Sequence, residues 1–383
     1  MTGLAGGPVV IVGGGVVGVA LAFQLTRHGY RDVTVVERGR VGEGATGYAT
    51  GGIRAQFTVP VNAQLARRSV DFFAAFEEHT GSPLNFRQHG YLFLVTDPAR
   101  LATLAEAVAM QNRHGIPSQI VDPDQVAELF PQLRTGDLAG GSYCPTDGSA
   151  SPADATSGLL KAARAGGAIV YQHRTVTGLR RDQAGRVAGV DTDAGPLPAE
   201  AVVLAPGPWA AEVGIRCGVT LPVSPHSRQA FAIAPADWLH PALPLTVDLG
   251  TGAYLHPETA GGVIGGCDRD VPPSMNPTVD WGRLERLTTA LSHRIPLIAD
   301  ARVIRGWAGL REMSPDDLAL VGPLSETPGL WVAAGFSGHG FMHAPAVGEC
   351  LAAELLDLPP PVDLSALRPD RFDRSTVAEG IRL

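Results

Sequence analysis

The sequence predicts an α/β fold in which a doubly wound parallel-sheet domain is interleaved with a domain built on an antiparallel sheet. The chain has 383 residues, of which 45% are hydrophobic and 18% charged, so it can bury a large core and has the length of two or three domains. Glycine-rich turns follow short apolar runs both near the start and near the end. No internal repeat and no low-complexity linker separates the parts, which indicates that the two domains alternate along the chain.

The first elements form a strand, a helix and a second strand. Residues 9–12 (VVIV) are β-branched and bounded by glycine, which favours a buried parallel strand. Apolar residues recur at helical spacing over 16–28, and Gly29 follows where a helix C-terminal glycine belongs. Residues 33–36 (VTVV) predict the second strand, which ends at Glu37. The pattern predicts a βαβ unit.

The turn at residues 13–18 (GGGVVG) matches the G-x-G-x-x-G fingerprint between that strand and helix. Its glycines allow a tight turn and let the helix N-terminus approach a pyrophosphate. Glu37 would accept hydrogen bonds from ribose hydroxyls and disfavour a 2′-phosphate. The alternative is a glycine-rich turn without a ligand, and the fingerprint alone does not separate NAD from FAD. The candidate cofactor residues here are Gly13, Gly15, Val16, Val17, Gly18, Glu37 and Arg38.

The remaining elements follow from periodicity and turn residues. Helices are predicted over residues 62–79, 101–114, 154–164 and 340–356, and a glycine-dense loop over 42–52. Strands are predicted over 86–95, 141–144, 168–171, 176–179, 201–205 and 330–334, with an antiparallel region from about 222 to 266.

Charge and composition exclude several classes of function. A net charge of −8 gives no basic surface for nucleic acid. No apolar run reaches the roughly 18 residues that span a membrane, and the start lacks a secretory signal pattern, so we expect a cytoplasmic protein. The four cysteines lie far apart, so neither a metal site nor a CxxC redox pair is predicted, and reduced, buried thiols are expected.

Several segments in order along nearly the whole chain identify a family resemblance. Residues 42–47 (GEGATG), 51–57 (GGIRAQF), 202–209 (VVLAPGPW), 309–316 (GLREMSPD) and 328–341 (PGLWVAAGFSGHGF) carry it. Together they resemble the D-amino acid oxidase-like family of FAD-dependent oxidoreductases, which includes glycine oxidase, sarcosine oxidase and dimethylglycine dehydrogenase. The resemblance implies FAD as cofactor, a Rossmann-like FAD domain at 1–84, 146–222 and 302–383, and a substrate domain at 85–145 and 223–301.

The resemblance also implies how the flavin is held. In sarcosine oxidases a cysteine carries the FAD where this sequence has Gly309, and in dimethylglycine dehydrogenases a histidine does so near Tyr48. Neither nucleophile is present, so non-covalent FAD is expected. The family-implied cofactor residues are Gly44, Ala45, Thr46, Gly51, Gly52, Ile53, Val176, Gly207, Trp209, Gly309, Gly338, His339, Gly340 and Phe341.

The turn at residues 335–340 delivers a strand end to a helix N-terminus, where backbone amides can hold a negative charge. A reduced flavin carries such a charge. By resemblance, Gly338, His339 and Gly340 would lie against the pyrimidine edge of the flavin. The alternative is a simple helix cap, with the His339 side chain only packed or hydrogen-bonded.

Four residues are candidates for catalytic roles: Arg311, His339, Tyr254 and Arg54. The family resemblance implies that Arg311 grips a substrate carboxylate, which a planar guanidinium does bidentately. Glu312 stands where glycine oxidases usually have proline, and an ion pair of Arg311 with Glu312 or Asp316 is the alternative.

Tyr254 would direct its hydroxyl into the cavity, or it is packing on a strand. Arg54 would face the flavin or substrate, or act on the pyrophosphate through loop structure. His226 and Arg228 are interpreted as parts of a structural strand.

The reaction implied is oxidation of a C–N bond in an amino acid or secondary amine, by hydride transfer to flavin N5, to an imine and then a carbonyl. The expected partners are that small molecule and either oxygen or an electron carrier; no oligomeric state is predicted. Sarcosine oxidases use a lysine above the flavin for oxygen, near Val263 here, whereas the single lysine, Lys161, lies in a predicted helix. A dehydrogenase and a non-catalytic FAD-containing assembly protein stay open as alternatives. NAD-dependent hydride transfer leaves the C-terminal glycine-rich segment unexplained.

Overall fold

The computed structural model describes residues 4, 6–268, 271–373 and 378–380, and its first elements lie where the sequence predicts them. Strand β1 (Val9–Val12) is followed by helix α1 (Val16–Arg27) and strand β2 (Val33–Val36). β1 and β2 pair in parallel, and Gly29 adopts a φ of +84° just after the helix. The predicted βαβ unit is therefore confirmed.

The remaining elements are short and follow in chain order. The strands are β3 (Gly52–Ile53), β4 (Tyr91–Val95), β5 (Gln119–Val121), β6 (Gly140–Cys144), β7 (Gly148–Ser149), β8 (Ile169–Tyr171), β9 (Val176–Arg181), β10 (Val187–Thr192), β11 (Leu197–Pro198), β12 (Ala201–Leu204), β13 (Ser224–Ile233), β14 (Leu245–Asp248), β15 (Tyr254–Glu258), β16 (Gly261–Gly265), β17 (Val303–Met313), β18 (Leu320–Pro323) and β19 (Leu330–Ala334). The helices are α2 (Ala45–Tyr48), α3 (Pro60–Ala74), α4 (Phe76–Thr80), α5 (Pro98–Arg113), α6 (Pro123–Leu129), α7 (Pro152–Ala165), α8 (Ala210–Arg216), α9 (Gly282–Arg294) and α10 (Gly340–Leu355).

A six-stranded sheet, in the order β18-β19-β12-β1-β2-β8, is parallel except at its β18–β19 edge. The four residues of β1 are buried and alternate between two hydrophobic clusters, one on each face. Helices α1, α3, α7 and α10 cover one face, and the β9–β11 sheet with α8 covers the other. This burial on both faces explains why β1 reads as a continuous apolar run.

The second large sheet has eight strands in the order β17-β13-β16-β15-β14-β4-β6-β5, and all its pairs are antiparallel except β14–β4. Its strands come from separate parts of the chain, as interleaving requires. β17 pairs with β13 along its length, although the sequence prediction assigns the chain from residue 302 onward to the FAD domain. The domain boundaries themselves stay a prediction.

Some predicted elements differ in extent. The helix predicted over 62–79 is interrupted at Ala75, whose φ of −105° and ψ of 26° leave the helical region between α3 and α4. The strand predicted over 86–95 begins only at Tyr91, because Gly90 turns the chain with a φ of +85°. Of the four cysteines, Cys267 is partly exposed rather than buried. None of the helices in the described part of the chain is long and apolar enough to cross a membrane.

Candidate active site

A cavity of about 870 Å³ lies where the carboxyl ends of the parallel strands meet the face of the eight-stranded sheet. It brings together nearly all of the residues that the sequence predicts for cofactor and substrate. The predicted residues in its wall are Gly13, Gly15, Val16, Val17, Glu37, Arg38, Gly44, Ala45, Thr46, Gly51, Gly52, Arg54, Val176, Gly207, Trp209, Tyr254, Gly309, Arg311, Gly338, His339, Gly340 and Phe341.

Two predicted cofactor residues, Gly18 and Ile53, do not line the cavity. A Cβ atom on Gly18 would stand 2.1 Å from the Gly13 carbonyl oxygen, so this glycine permits close packing of α1 on the turn. Ile53 is fully buried in the core beneath the sheet. Neighbouring residues of an extended chain point to opposite sides, so Gly52 and Arg54 face the cavity and Ile53 does not.

The first glycine turn is held by backbone contacts that exclude side chains. Gly13 has a φ of +115°, and a Cβ there would stand 2.2 Å from the carbonyl oxygen of Ala205. The amide of Val16 donates to Thr46 Oγ1 at 3.1 Å, which fixes α2 against the N-terminus of α1. The positive end of the α1 dipole therefore faces the cavity, as an anion site requires.

Glu37 organises the adjoining loop. Its Oε2 accepts from the Gly14 amide at 2.7 Å and its Oε1 from the Gly39 amide at 2.7 Å. Because a carboxylate offers about four acceptor positions, these two bonds leave capacity for ribose hydroxyls. Next to it, the Arg38 guanidinium stacks over the Trp209 ring at 4.0 Å.

The second glycine turn, at residues 335–340, is braced by the partly buried carboxyl of Glu312, which sequence reasoning considered as an ion-pair partner of Arg311. Glu312 Oε2 accepts from the Gly335 amide at 2.9 Å, while its backbone carbonyl accepts from Ser337 at 2.7 Å. Ser337 has a φ of +53°, a left-handed conformation that these bonds help to hold. Burial raises the pKa of Glu312 to about 7. The turn leads into α10, whose N-terminus also faces the cavity.

Arg311 lies against this turn on the cavity side. A Cβ on Gly338 would stand 2.6 Å from Arg311 Nε, so the glycine makes room for the guanidinium. Asp316, one of its two predicted alternative partners, forms an ion pair with Arg371 at 2.8 Å. Glu312, the other, is engaged by the Gly335 amide. Arg311 is itself a residue of the cavity wall, and its grip on a substrate carboxylate stays a prediction.

Arg54 and His339 form one buried unit. Arg54 Nη2 lies 3.2 Å from His339 Nε2, and the guanidinium stacks on the Phe57 ring at 4.0 Å. Both side chains are buried, and burial lowers the pKa of Arg54 and lowers that of His339 well below its usual range. A neutral His339 can accept the hydrogen bond that Arg54 donates. This contact agrees with the alternative of a structural role for His339 as well as with a role at the flavin.

Tyr254 stands on the cavity face of the eight-stranded sheet. It pairs with Gly265, and a Cβ on that glycine would approach the tyrosine hydroxyl to 2.4 Å, so Gly265 makes the room that the hydroxyl occupies. Burial raises the pKa of Tyr254 to about 12, while Arg311 lowers this pKa and Asp268 raises it. Tyr254 is thus a neutral donor near both charges.

Sequence reasoning missed a pair of charged residues in the same wall. Arg228, interpreted as structural, lines the cavity together with Asp268, and their side chains approach to 3.4 Å between Arg228 Nε and Asp268 Oδ1. Arg228 pairs with Gly309 across the β13–β17 ladder. Only this pairing, between residues far apart in the chain, brings Arg228 beside the family segment at 309–316.

The two positions implied in covalent flavin attachment by the family resemblance meet in the cavity. A Cβ on Gly309 would stand 2.5 Å from Tyr48 Cβ, and Trp307 Nε1 donates to the Tyr48 carbonyl at 3.1 Å. Gly309 stands where sarcosine oxidases use a cysteine, and Tyr48 lies near the position where dimethylglycine dehydrogenases use a histidine. Neither side chain can form those covalent bonds to the flavin. Val263 is buried in β16 outside the cavity wall, and Lys161 is exposed on α7.

Comparisons with known proteins agree with this architecture. Residues 8–354 match the family model described as DAO, FAD dependent oxidoreductase. The crystal structure of L-proline dehydrogenase from P. horikoshii superposes with a TM-score of 0.91 at 31% identity, covering 97% of this chain and 98% of that one. Glycine oxidase of Geobacillus kaustophilus is 32% identical over 357 residues, 91% of this chain and 92% of the relative.

Mouse mitochondrial dimethylglycine dehydrogenase is 32% identical over 390 aligned residues. The match covers 97% of this chain and 44% of the relative. The chain thus spans less than half the length of that protein.

Proposed function

Because the chain belongs to the DAO family of FAD-dependent oxidoreductases, we propose that it oxidises a C–N bond in an amino acid or in a secondary or N-methylated amine. Similar proteins carry names that point to this class: L-proline dehydrogenase, glycine oxidase and 4-methylaminobutanoate oxidase. The substrate proposed here carries both an amine and a carboxylate.

The observation that carries this proposal is the place of Arg311. Its guanidinium lies in the wall of the same cavity as the two glycine turns and directly against Gly338. A guanidinium there can bind a carboxylate bidentately and so fix the α-carbon of an amino acid in one orientation. A cavity built only to hold FAD would not need a cation on the face of the eight-stranded sheet.

The residues present fit FAD. Gly15 and Gly207 line the cavity, and a Cβ on Gly207 would meet no atom within 4 Å, so the wall is open where a cofactor would lie. The N-termini of α1 and α10 supply backbone donors, and Glu37 supplies acceptors. FAD, when bound, accepts a hydride at N5. Non-covalent binding predicts that acid precipitation releases the yellow colour from the polypeptide.

The chain's own residues would orient the substrate and hold charge. Arg311 binds the carboxylate, and Tyr254 offers a neutral hydroxyl beside it. The amides at the N-terminus of α10 would stabilise negative charge on a bound flavin. A substrate in its neutral amine form would lose a hydride from a carbon next to nitrogen, and a primary or secondary amine would also lose its N–H proton to become an imine. Water would convert the imine, or the iminium ion left by a tertiary amine, to a carbonyl compound and an amine or ammonia.

We further propose an electron acceptor other than oxygen. Lys161 is the single lysine of the sequence and is exposed on α7, while the cations in the described cavity wall are arginines, which do not readily give up a proton. The similar structure from P. horikoshii is a dehydrogenase by name. Stopped-flow mixing of the reduced protein with oxygen should show slow reoxidation. Rapid reoxidation would instead favour an oxidase.

An anaerobic screen for flavin bleaching tests the main proposal. Glycine, N-methylglycine, N,N-dimethylglycine and L-proline are compared with pyrrolidine, which lacks a carboxylate. Arg311→Leu should lower the efficiency of flavin reduction by amino acids at least about tenfold, because a charge-assisted pair in a closed cavity is lost.

Arg302→Leu is the matched control, since Arg302 is exposed and directly precedes β17. FAD content must be equal in all variants. If no amine or amino acid reduces the wild-type flavin, the protein is instead a non-catalytic FAD protein. An equal loss in Arg311→Leu toward pyrrolidine and L-proline would show that Arg311 supports the flavin site or the fold.

A further inference from the structure

We propose that Asp268 binds the charged amino group of the substrate, so that the cavity recognises an amino acid zwitterion through Arg311 and Asp268 together. This inference rests on the proposed function and names a residue that selects within it. Asp268 acts by binding: the bound ammonium group loses one proton to water before its α-carbon gives up a hydride, and no proton transfer is assigned to Asp268.

Asp268 is a buried anion in the cavity wall. Only 4% of the residue is exposed, and it follows β16 by three positions. A buried carboxylate is costly unless it is paired. Arg228 supplies that pair, with its Nε 3.4 Å from Asp268 Oδ1, and is itself part of the wall. The pair therefore keeps a negative charge where a ligand can reach it.

The strand register places this pair near Arg311. Residues that pair directly across antiparallel strands share a sheet face, and so do residues two apart on one strand. Arg228 pairs with Gly309, and Arg311 lies two residues along β17 from that glycine, so both arginines occupy the cavity face. Tyr254 pairs with Gly265, which pairs with Ala230, and Ala230 lies two residues along β13 from Arg228. Tyr254 therefore belongs to the same face.

The two opposite charges act on one point of that face. Arg311 lowers and Asp268 raises the pKa of the Tyr254 hydroxyl, which burial raises most. A ligand beside Tyr254 therefore meets a cation and an anion. Near neutral pH an amino acid carries a carboxylate and an ammonium group, which match these two charges.

Asp268 can serve both Arg228 and a ligand. An ionised carboxylate has about four acceptor positions, and the ion pair with Arg228, 3.4 Å from Nε to Oδ1, leaves acceptor positions for a ligand. The competing explanation is an ion pair that only supports the wall. That explanation predicts equal effects on ligands with and without an amine, which separates the two.

The test uses FAD-loaded protein and pairs of ligands that differ only at the amine. N-methylglycine is compared with methoxyacetate, and L-proline with tetrahydrofuran-2-carboxylate, in which an ether oxygen replaces the nitrogen. Dissociation constants are measured anaerobically, from the flavin absorbance change for the ethers and from the substrate dependence of flavin reduction for the amino acids. Asp268→Asn should weaken amino acid binding at least about tenfold and leave ether acid binding within about twofold.

Two further variants sharpen the result. Arg311→Leu should weaken both members of each pair, because both carry the carboxylate. Asp268→Glu keeps the charge and should retain more of the preference for amino acids than Asp268→Asn does. FAD content and far-UV circular dichroism check that each variant is folded.

Equal loss of both ligands in Asp268→Asn, or no loss, would overturn this inference while the proposed function stands. Wild-type protein that binds ether acids as tightly as amino acids would overturn it as well. Failure of every amino acid to reduce the wild-type flavin would overturn the proposed function, and the role of Asp268 with it.

Discussion

The two ends of the cavity differ in the groups that form their walls, backbone at one end and charged side chains at the other. At the end near β1 and β2 the wall includes glycine backbone, the N-terminus of α1 and Glu37, which two backbone amides hold, and the exposed Glu43 and Glu212 also line the cavity. At the end under the eight-stranded sheet, the charged side chains of Arg54 and Asp268 are buried and that of Glu312 is partly buried.

This difference separates two tasks. A backbone wall recognises a ligand of fixed shape and has little to adjust, because a Cβ at Gly13 would collide with the carbonyl oxygen of Ala205. A side-chain wall can be altered one residue at a time, at the cost of burying charges that need partners. The backbone end therefore fits a constant cofactor and the side-chain end a variable substrate.

The largest expected effect would break the backbone end. In Gly18→Ala the new Cβ would stand 2.1 Å from the Gly13 carbonyl oxygen, so α1 must move away from the turn. We expect FAD affinity to fall at least about hundredfold, measured by titrating apoprotein with FAD. Gly136→Ala is the control, because a Cβ there meets no atom within 4 Å. Normal FAD affinity in Gly18→Ala would show that this close approach does not shape the site.

The next prediction concerns the side-chain end, where Glu312 should make the free energy of unfolding depend on pH. Burial raises the pKa of Glu312 from 4.5 to about 7, so the folded protein holds a proton there more tightly than the unfolded chain does. This contribution to stability is complete below pH 4.5 and is lost as pH rises through 7. Between pH 5 and 7.5 the free energy of unfolding of the wild type should fall by about 2 kcal/mol relative to that of Glu312→Gln. Urea unfolding at saturating FAD measures this difference. Parallel pH profiles would contradict the prediction.

A smaller effect is expected at Glu37, the carboxylate that two backbone amides hold. Glu37→Ala removes the acceptor of the Gly14 and Gly39 amides as well as the predicted ribose contact, so FAD affinity should fall about tenfold. Glu37→Gln keeps one acceptor oxygen and should lose less. Unchanged affinity in Glu37→Ala would mean that Glu37 is only a charge at a strand end.

The smallest effect concerns the stacked pair at the edge of this end. Arg38→Ala removes the guanidinium over the Trp209 ring, a contact worth about 0.5–1 kcal/mol where solvent reaches it. FAD affinity should therefore fall only about two- to fivefold. Arg38→Lys tests whether charge alone suffices. A loss as large as that in Glu37→Ala would mean that Arg38 contacts the cofactor directly.

The sequence predicted the backbone end well because its information is local. The fingerprint, the helix and Glu37 lie within one βαβ unit, and their spacing alone brings them together. Ile53 lies outside the cavity wall because a motif names neighbouring residues without saying which of their side chains faces inward.

The side-chain end depended on information that one sequence does not carry. The pairing of β13 with β17, whose residues lie some eighty positions apart in the chain, places Arg228 on the same sheet face as Arg311. Asp268 joins this face through its ion pair with Arg228. The bracing of the second turn by Glu312 likewise depends on its contact with Gly335. Arg311 was an exception, because the family resemblance supplied its place.

Lys161 is a single site at which the protein can be labelled with a dye. It is exposed on α7, which packs against α1, the helix that begins at the first glycine turn. Apart from the α-amino group, it is the single primary amine of the chain, so an amine-reactive dye would attach at one side chain on a helix outside the cavity wall. A dye whose emission overlaps flavin absorption would then report cofactor loading and flavin bleaching by energy transfer, without an engineered cysteine.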